Sequence, residues 1–249
     1  MTQDAANSAT GGRFRSAGAT HAGAVRSYNQ DHYVNRPDLG LWAVADGAGG
    51  HQDGHVAAGM IAEALEAIPP GLGAGEMLAQ VRHRMTETHD RLRAEAAQRA
   101  GQATIASTVV VLLACDAHFA CLWAGDSRAY LLRAGRFTQV TRDHSLVQEL
   151  VEAGAITAEQ AERHPHANVI TRAIGADVEL ELDKVTDRLL PGDRFLLCSD
   201  GVSKTLPEAE LAAVLADLSD EPRPDRLIAA ALAREATDNV TTVAVEVTR

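Results

Sequence analysis

Long apolar runs are missing from this chain: nothing approaches the ~20 residues a helix needs to cross a bilayer, and the opening MTQDAANSATGGR lacks the basic-then-apolar order of a secretory signal. A soluble, cytoplasmic protein is the expectation. Cysteine is scarce, and Cys115, Cys121 and Cys198 all fall in apolar runs without CxxC spacing. That pattern argues against a zinc knuckle or a redox pair and reads as buried, reduced thiols. Lysine is nearly absent, Lys184 and Lys204 being the only two among 23 basic residues. This reflects GC-rich coding and by itself carries no chemistry. Positive charge is short overall: the formal net charge of -11 argues against a nucleic-acid backbone or an anionic membrane as a partner. Internal repeats and composition breaks are also lacking, so the 249 residues, 46% of them hydrophobic, are expected to form one domain around a sizeable core.

Acidic residues in repeated settings are what the chain does have. VADGAGGH, WAGDSRAY and LLCSDG each end an apolar, strand-like run at an Asp beside Gly or Ser, and TDNVTTVAVEV opens such a run with Asp-Asn. The pattern places Asp46, Asp126, Asp200 and Asp238 at strand ends. One Asp-Gly or Asp-Asn is ordinarily a turn or a helix cap. Recurrence in one domain is harder to assign to independent turns. Carboxylates gathered at one rim repel unless cations neutralise them, and an all-oxygen site suits Mg2+ or Mn2+ rather than zinc. A Gly after the Asp lets the backbone approach closely, so the Gly47 carbonyl joins the candidate ligands. GAGG matches neither GxGxxG nor a Walker A spacing, which removes a nucleotide-binding reading. Arg26, in VRSYNQD, is the candidate anion-binding residue, because its guanidinium forks onto phosphate oxygens. Asp31 and Gln30 close the same loop, and His51 is the histidine placed nearest the site; the bland alternative for each is a solvated surface residue.

Hydrophobic spacing gives a coarse element order. Strands are expected from Phe14 and around His32 to Asp46, then helices at Val56 to Ile68 and Glu76 to Arg99. Strands follow at Ala106 to Ala114, His118 to Trp123, Ala129 to Leu132 and Phe137 to Thr141, and short loops between them read as antiparallel hairpins. Two short helices come next, the second with a Thr157/Gln160 capping box, then strands at Glu179 to Asp187 and Arg194 to Cys198. Helices at Pro207 to Leu218 and Arg226 to Ala236 precede the last strand. The fold class is α+β: two antiparallel sheets stacked as a sandwich and flanked by helix pairs. Residues 1–13 are expected as a disordered tail and 14–249 as the domain.

Taken in order, Arg-x-x-Asn-Gln-Asp, Asp-Gly-x-Gly-Gly-His, Gly-Asp-Ser-Arg, Asp-His-Ser, Ile-Thr-Arg-Ala-Ile-Gly, Ser-Asp-Gly and Asp-Asn resemble the metal-dependent PP2C-type (PPM) serine/threonine phosphatases in their bacterial form. The resemblance covers Phe14 to Val247 and implies an αββα sandwich with two Mn2+ or Mg2+ ions between the sheets. It implies that Asp46 bridges the ions, that the Gly47 carbonyl binds one, and that Asp200 and Asp238 hold the other. Asp126 would share a weaker third ion with Asp200. Asp31 would stand beside the metal waters, Arg26 would bind phosphate, and 144–174 would be a flap. The implied reaction is hydrolysis of phosphoserine or phosphothreonine by a water held between the ions, with His51 a possible proton donor. Phosphoproteins, a cognate serine/threonine kinase or its targets, would be the partners of a monomer that binds neither nucleic acid nor membrane. Two departures stand out: Ala48 replaces a frequent Met, and Gln30 stands where many relatives have Glu. Two other readings compete. One is a catalytically dead phosphoprotein binder. The other is a phosphatase of anti-sigma pathways, against which Arg26 and the long flap speak.

Overall fold

Alternation along single strands decides the layering. In Val109–Cys115 the odd residues Val109, Val111 and Leu113 enter one apolar cluster while Val110, Leu112 and Ala114 enter another. Successive side chains of a strand point to opposite faces, so a strand apolar on both faces must be covered on both. The computed structural model describes residues 9–48, 53–99, 104–219 and 221–248. In it the chain runs β1 (Ala9–Gly11), β2 (Phe14–His21), β3 (Asp31–Arg36), β4 (Leu41–Ala48), α1 (Asp53–Glu66), α2 (Ala74–Gln98), β5 (Ala106–Ser107), β6 (Val109–Cys115), β7 (His118–Ala124), β8 (Arg128–Arg133) and β9 (Arg136–Gln139). It continues through α3 (Leu146–Glu152), α4 (Ala158–Glu162), β10 (Asp183–Arg188), β11 (Arg194–Cys198), α5 (Asp200–Ser203), α6 (Glu208–Ala216), α7 (Arg223–Leu232) and β12 (Val240–Val247).

The first sheet has the order β1-β2-β12-β11-β8-β9 and the second β10-β7-β6-β4-β3, with β5 added beside β4. Among the described residues these strand pairings are all antiparallel. Between the sheets lie Trp42, Val44, Phe119, Trp123, Phe195, Leu197 and Val243, among others. Two edge-on aromatic pairs brace this layer: Phe14 against Trp42 at 5.1 Å, and Phe119 against Phe195 at 4.9 Å. Such pairs contribute about 0.5–1.5 kcal/mol beyond area burial. On the outer side of the second sheet, Ile61, Leu65, Val81, Met85 and Leu92 from α1 and α2 pack on Leu41, Ala43 and Val111. On the outer side of the first, Val202, Leu211, Leu215, Leu227 and Ala231 cover Tyr130, Leu196 and Cys198. The result is the expected αββα arrangement with three apolar layers.

Several elements differ from the sequence expectation. Ala9–Gly11, within the expected tail, pairs with Phe14–Ser16 as an edge strand; residues 1–8 lie outside the described part. β4 does not stop at Asp46 but runs to Ala48, because Gly47 and Ala48 find partners in Ser107 and Ala106. Residue 108 separates β5 from β6, splitting one expected strand in two. β7 and β8 are not a hairpin: the chain leaves one sheet and enters the other through Gly125-Asp126-Ser127. Gly125 has φ +112°, a region open only to glycine, and a Cβ there would press on Thr108 at 2.5 Å. α7 starts three residues earlier than expected and ends at Leu232, before Glu235 turns the chain at φ +55°. α5 was not anticipated. The Thr157/Gln160 capping box is present, with Thr157 N donating to Gln160 Oε1 at 2.8 Å.

The short α5 sits against the start of β12, and a Cβ at Gly201 would collide with the Asn239 carbonyl. Gly201→Ala is therefore expected to destabilise the fold by roughly 1–3 kcal/mol, read as a lowered urea midpoint with an unchanged m value.

Candidate active site

Hairpin register brings the first two acids together. β3 and β4 pair with Asp31 directly opposite Asp46. Like charges directly opposite on neighbouring strands are destabilising, and here the setting is dry: Asp31 is 4% exposed and its Oδ1 has no hydrogen-bond partner among the described residues. Burial pushes the Asp31 carboxyl up to about 7, partly offset by the Thr241 and Ser199 hydroxyls, with Asp200 and Asp238 raising it further. Asp46 is raised well above the ordinary carboxylate range by burial, then by Asp31, Asp200 and Asp126. Its backbone is held firmly: the Asp46 carbonyl accepts from Thr108 N at 2.8 Å and from Ser107 Oγ at 2.9 Å.

The other acids arrive from the first sheet and from the crossover. Asp200 opens α5 directly after β11, and Asp126 lies in the turn between β7 and β8. Burial, then Asp200, pushes the Asp126 carboxyl up to about 6 against the lowering effect of Lys204. Asp238 precedes β12 and carries Arg26, whose NH2 donates to Asp238 Oδ2 at 3.0 Å with both side chains about half exposed. The sequence-derived acids are thus linked electrostatically, Asp46 to Asp31, Asp200 and Asp126 and Asp31 to Asp200 and Asp238, with Arg26 on Asp238. Gly47 is enclosed: a Cβ on it would strike the Gly54 carbonyl, and one on Gly54 would lie 2.6 Å from the Gly47 oxygen. His51 lies outside the described residues. His144 is a buried packing residue, stacked on Trp123 and accepting from Gly125 N at 3.2 Å through Nδ1.

Three residues escaped the sequence reading. Ser199 donates to Asp31 Oδ2 at 2.8 Å while accepting from Thr241 N at 3.0 Å, so it ties the acid of one sheet to a strand of the other. Asn239 accepts from Gln30 N at 2.8 Å and donates to the carbonyls of Ala22 and Tyr28 at 3.0 and 2.9 Å, pinning the Arg26 loop. Lys204 donates to Asp200 Oδ2 at 2.6 Å, to Asp126 Oδ2 at 3.1 Å and to Asn168 Oδ1 at 3.0 Å. The Ser-Asp-Gly and Asp-Asn motifs pointed at the first two; the only signal for the third was the rarity of lysine.

Among the described residues no three Asp, Glu, His or Cys side chains stand in ready chelating contact. The donor chemistry nonetheless fits hard divalent cations. Several carboxylates are held near one another with protonation favoured by burial and mutual repulsion, one buried oxygen lacks a partner, and the donors are all oxygen.

Known proteins share this architecture and order of motifs. The family model described as protein phosphatase 2C matches residues 17–236. The serine/threonine protein phosphatase PstP of Mycobacterium tuberculosis is 34% identical over 94% of this chain, which spans 45% of that protein's length. The solved structure described as PppA, a key regulatory component of T6SS in Pseudomonas aeruginosa, is 40% identical, covers 96% of this chain and 99% of its own, and superposes with a TM-score of 0.86. The catalytic domain of PstP in complex with two manganese ions is 32% identical over 95% of this chain and 99% of its own, with a TM-score of 0.82. On these matches and the fold, the chain belongs to the protein phosphatase 2C family.

Proposed function

We propose that this chain is a metal-dependent phosphatase acting on phosphoserine and phosphothreonine in proteins, and that it opposes a serine/threonine kinase. The observation that carries this reading is the face-to-face pair Asp31 and Asp46 in a buried setting, joined by acids from the opposite sheet with an arginine at the rim. Nothing in the packing of the fold needs that pair, and it costs stability. Residues that weaken a fold persist where their chemistry is used. Relatives named as serine/threonine protein phosphatases support the substrate class.

Asp46, the Gly47 carbonyl, Asp200 and Asp238 would hold two Mn2+ or Mg2+ ions. When bound, such ions activate a water for attack and neutralise charge on the phosphoryl group. Arg26, exposed and steadied by Asp238, would fork onto two phosphate oxygens and hold the phosphoryl group in line. Asp31, buried opposite Asp46 and oriented by Ser199, would hold or take a proton at neutral pH. The segment 144–174 is proposed as a flap that selects the protein substrate. It starts beside Asp126, where His144 and Gly125 exchange hydrogen bonds, and closes by the bridge between Ser107 and Ile174. Among the described residues no helix is long and apolar enough to cross a membrane, and Cys115, Cys121 and Cys198 are free thiols. The free thiols are in keeping with a reducing compartment, and the proposal is a monomer that works in the cytoplasm.

Asp200→Asn and Asp238→Asn are each expected to lower Mn2+-dependent hydrolysis of a phosphothreonine peptide by roughly two orders of magnitude or more. Full activity in both variants would remove these residues from the site. A phosphoprotein binder without catalysis would instead show no Mn2+-dependent turnover of p-nitrophenyl phosphate by the unaltered protein.

Arg26→Ala should lower kcat/KM by about 100-fold through lost phosphate stabilisation. Arg26→Lys should restore only part of that, since an ammonium lacks the planar fork.

Asp31→Asn is expected to cut activity while raising the melting temperature in chelator by roughly 2–8 °C, the shift that about 1–2 kcal/mol produces in a chain of this size. The sign follows from a folded-state carboxyl lifted from 3.8 to about 7. Its stabilising effect is complete below the lower value and is lost as pH rises to the upper one. The gain on substitution should therefore be larger at pH 8 than at pH 5.

A further inference from the structure

Lys204 follows Asp200 by four residues, one turn along α5, and its backbone N–H donates to the Asp200 carbonyl at 2.8 Å. That turn folds the side chain back over Asp200, and the ammonium sits between the two carboxylates, 2.6 Å from Asp200 Oδ2 and 3.1 Å from Asp126 Oδ2. Asn168 Oδ1 supplies a third acceptor at 3.0 Å. An ammonium has three N–H donors and no acceptor, so all of its capacity is used at this one place. Asp126 has a side-chain exposure of 6%, and a buried carboxylate needs a counter-charge. In a chain that otherwise uses arginine for nearly every basic position, this is one of only two lysines. A compact point charge suits three converging acceptors better than a planar fork.

We propose that the Lys204 ammonium is a built-in counter-cation for the Asp126 and Asp200 pair, so that this pair does not hold a third divalent ion in this protein. The resemblance to the bacterial phosphatases implies a third ion there. The side chains that surround the position in this chain fit a lysine instead. Lys204 Nζ satisfies one oxygen of each acid, and a divalent ion between them would lie within a few ångströms of a fixed positive charge. At 3–4 Å two like charges repel by about 1 kcal/mol in water and several-fold more in a protein cleft. On the two-ion reading, Asp200 would still offer its other oxygen to an ion shared with Asp238. The proposal rests on the two-ion reading given above.

The test is a count of bound Mn2+ by equilibrium dialysis with elemental analysis, on the full chain and without substrate. The unaltered protein should bind two ions, and Asp126→Asn should leave that count at two. Lys204→Ala should bind a third, weaker ion, and Lys204→Ala combined with Asp126→Asn should return to two. The melting temperature of Lys204→Ala should also rise more steeply with added Mn2+ than that of the unaltered protein. Three ions in the unaltered protein, falling to two in Asp126→Asn, would overturn the proposal and leave the two-ion reading standing. A count of two in a folded Lys204→Ala would overturn it as well. No bound ion in the unaltered protein would overturn the two-ion reading and this proposal together.

Discussion

Repulsion among buried carboxylates is the constraint around which the molecule is arranged. Asp31 and Asp46 face each other across two strands, Asp200 lies within reach of both and Asp126 within reach of Asp46, and burial drives three of the four toward the protonated form. The surrounding structure answers each acid with a specific partner. Ser199 takes Asp31, Lys204 takes Asp126 and Asp200, and Arg26 takes Asp238. These partners do not cancel the cost, since they leave the buried Asp31 Oδ1 without a hydrogen-bond partner among the described residues. A metal-dependent phosphatase is the reading in which that residual strain is useful.

The scaffold tolerates this because its apolar packing is extensive and far from the acids. Both sheets are sealed on two faces, so the three apolar layers stabilise the fold independently of the polar rim. Two polar contacts join the halves at the site: Ser199 with Asp31 at 2.8 Å and Asn239 with Gln30 at 2.8 Å. They fix the relative position of the two halves where the chemistry needs it. Elsewhere, apolar contact is supplemented by Ser16 of β2 donating to Asn35 of β3 at 2.6 Å and by Arg133 of β8 donating to Asp187 of β10 at 2.9 Å.

Much of this was legible in the sequence, for identifiable reasons. The acids announced themselves by recurring at the borders of apolar runs, and the αββα class followed from helix pairs bracketing strands. Register was harder. That Asp31 opposes Asp46 depends on the turn from Arg36 to Leu41, which hydrophobic alternation alone does not place. α5 has four residues, too few for any periodic signal, so Lys204 could not be seen to fold back on Asp200. Ser199 and Asn239 lay inside recognised motifs, yet their work is done by partners more than 150 residues away in the chain, at separations of 168 and 209. β4 overran its expected end because β5, a two-residue strand, extends its pairing.

The acids are held by different sheets: Asp31 and Asp46 lie in strands of one, Asp200 follows β11 and Asp238 precedes β12 of the other, and Asp126 is on the link between them. The thickness of the apolar layer therefore acts as a calliper for the site. A bulkier side chain near Phe119 and Phe195, which meet at 4.9 Å, would open the jaws without touching any polar group. In a metal-dependent phosphatase of this build, the fit to a smaller or larger ion would be written in part into hydrocarbon that never meets one.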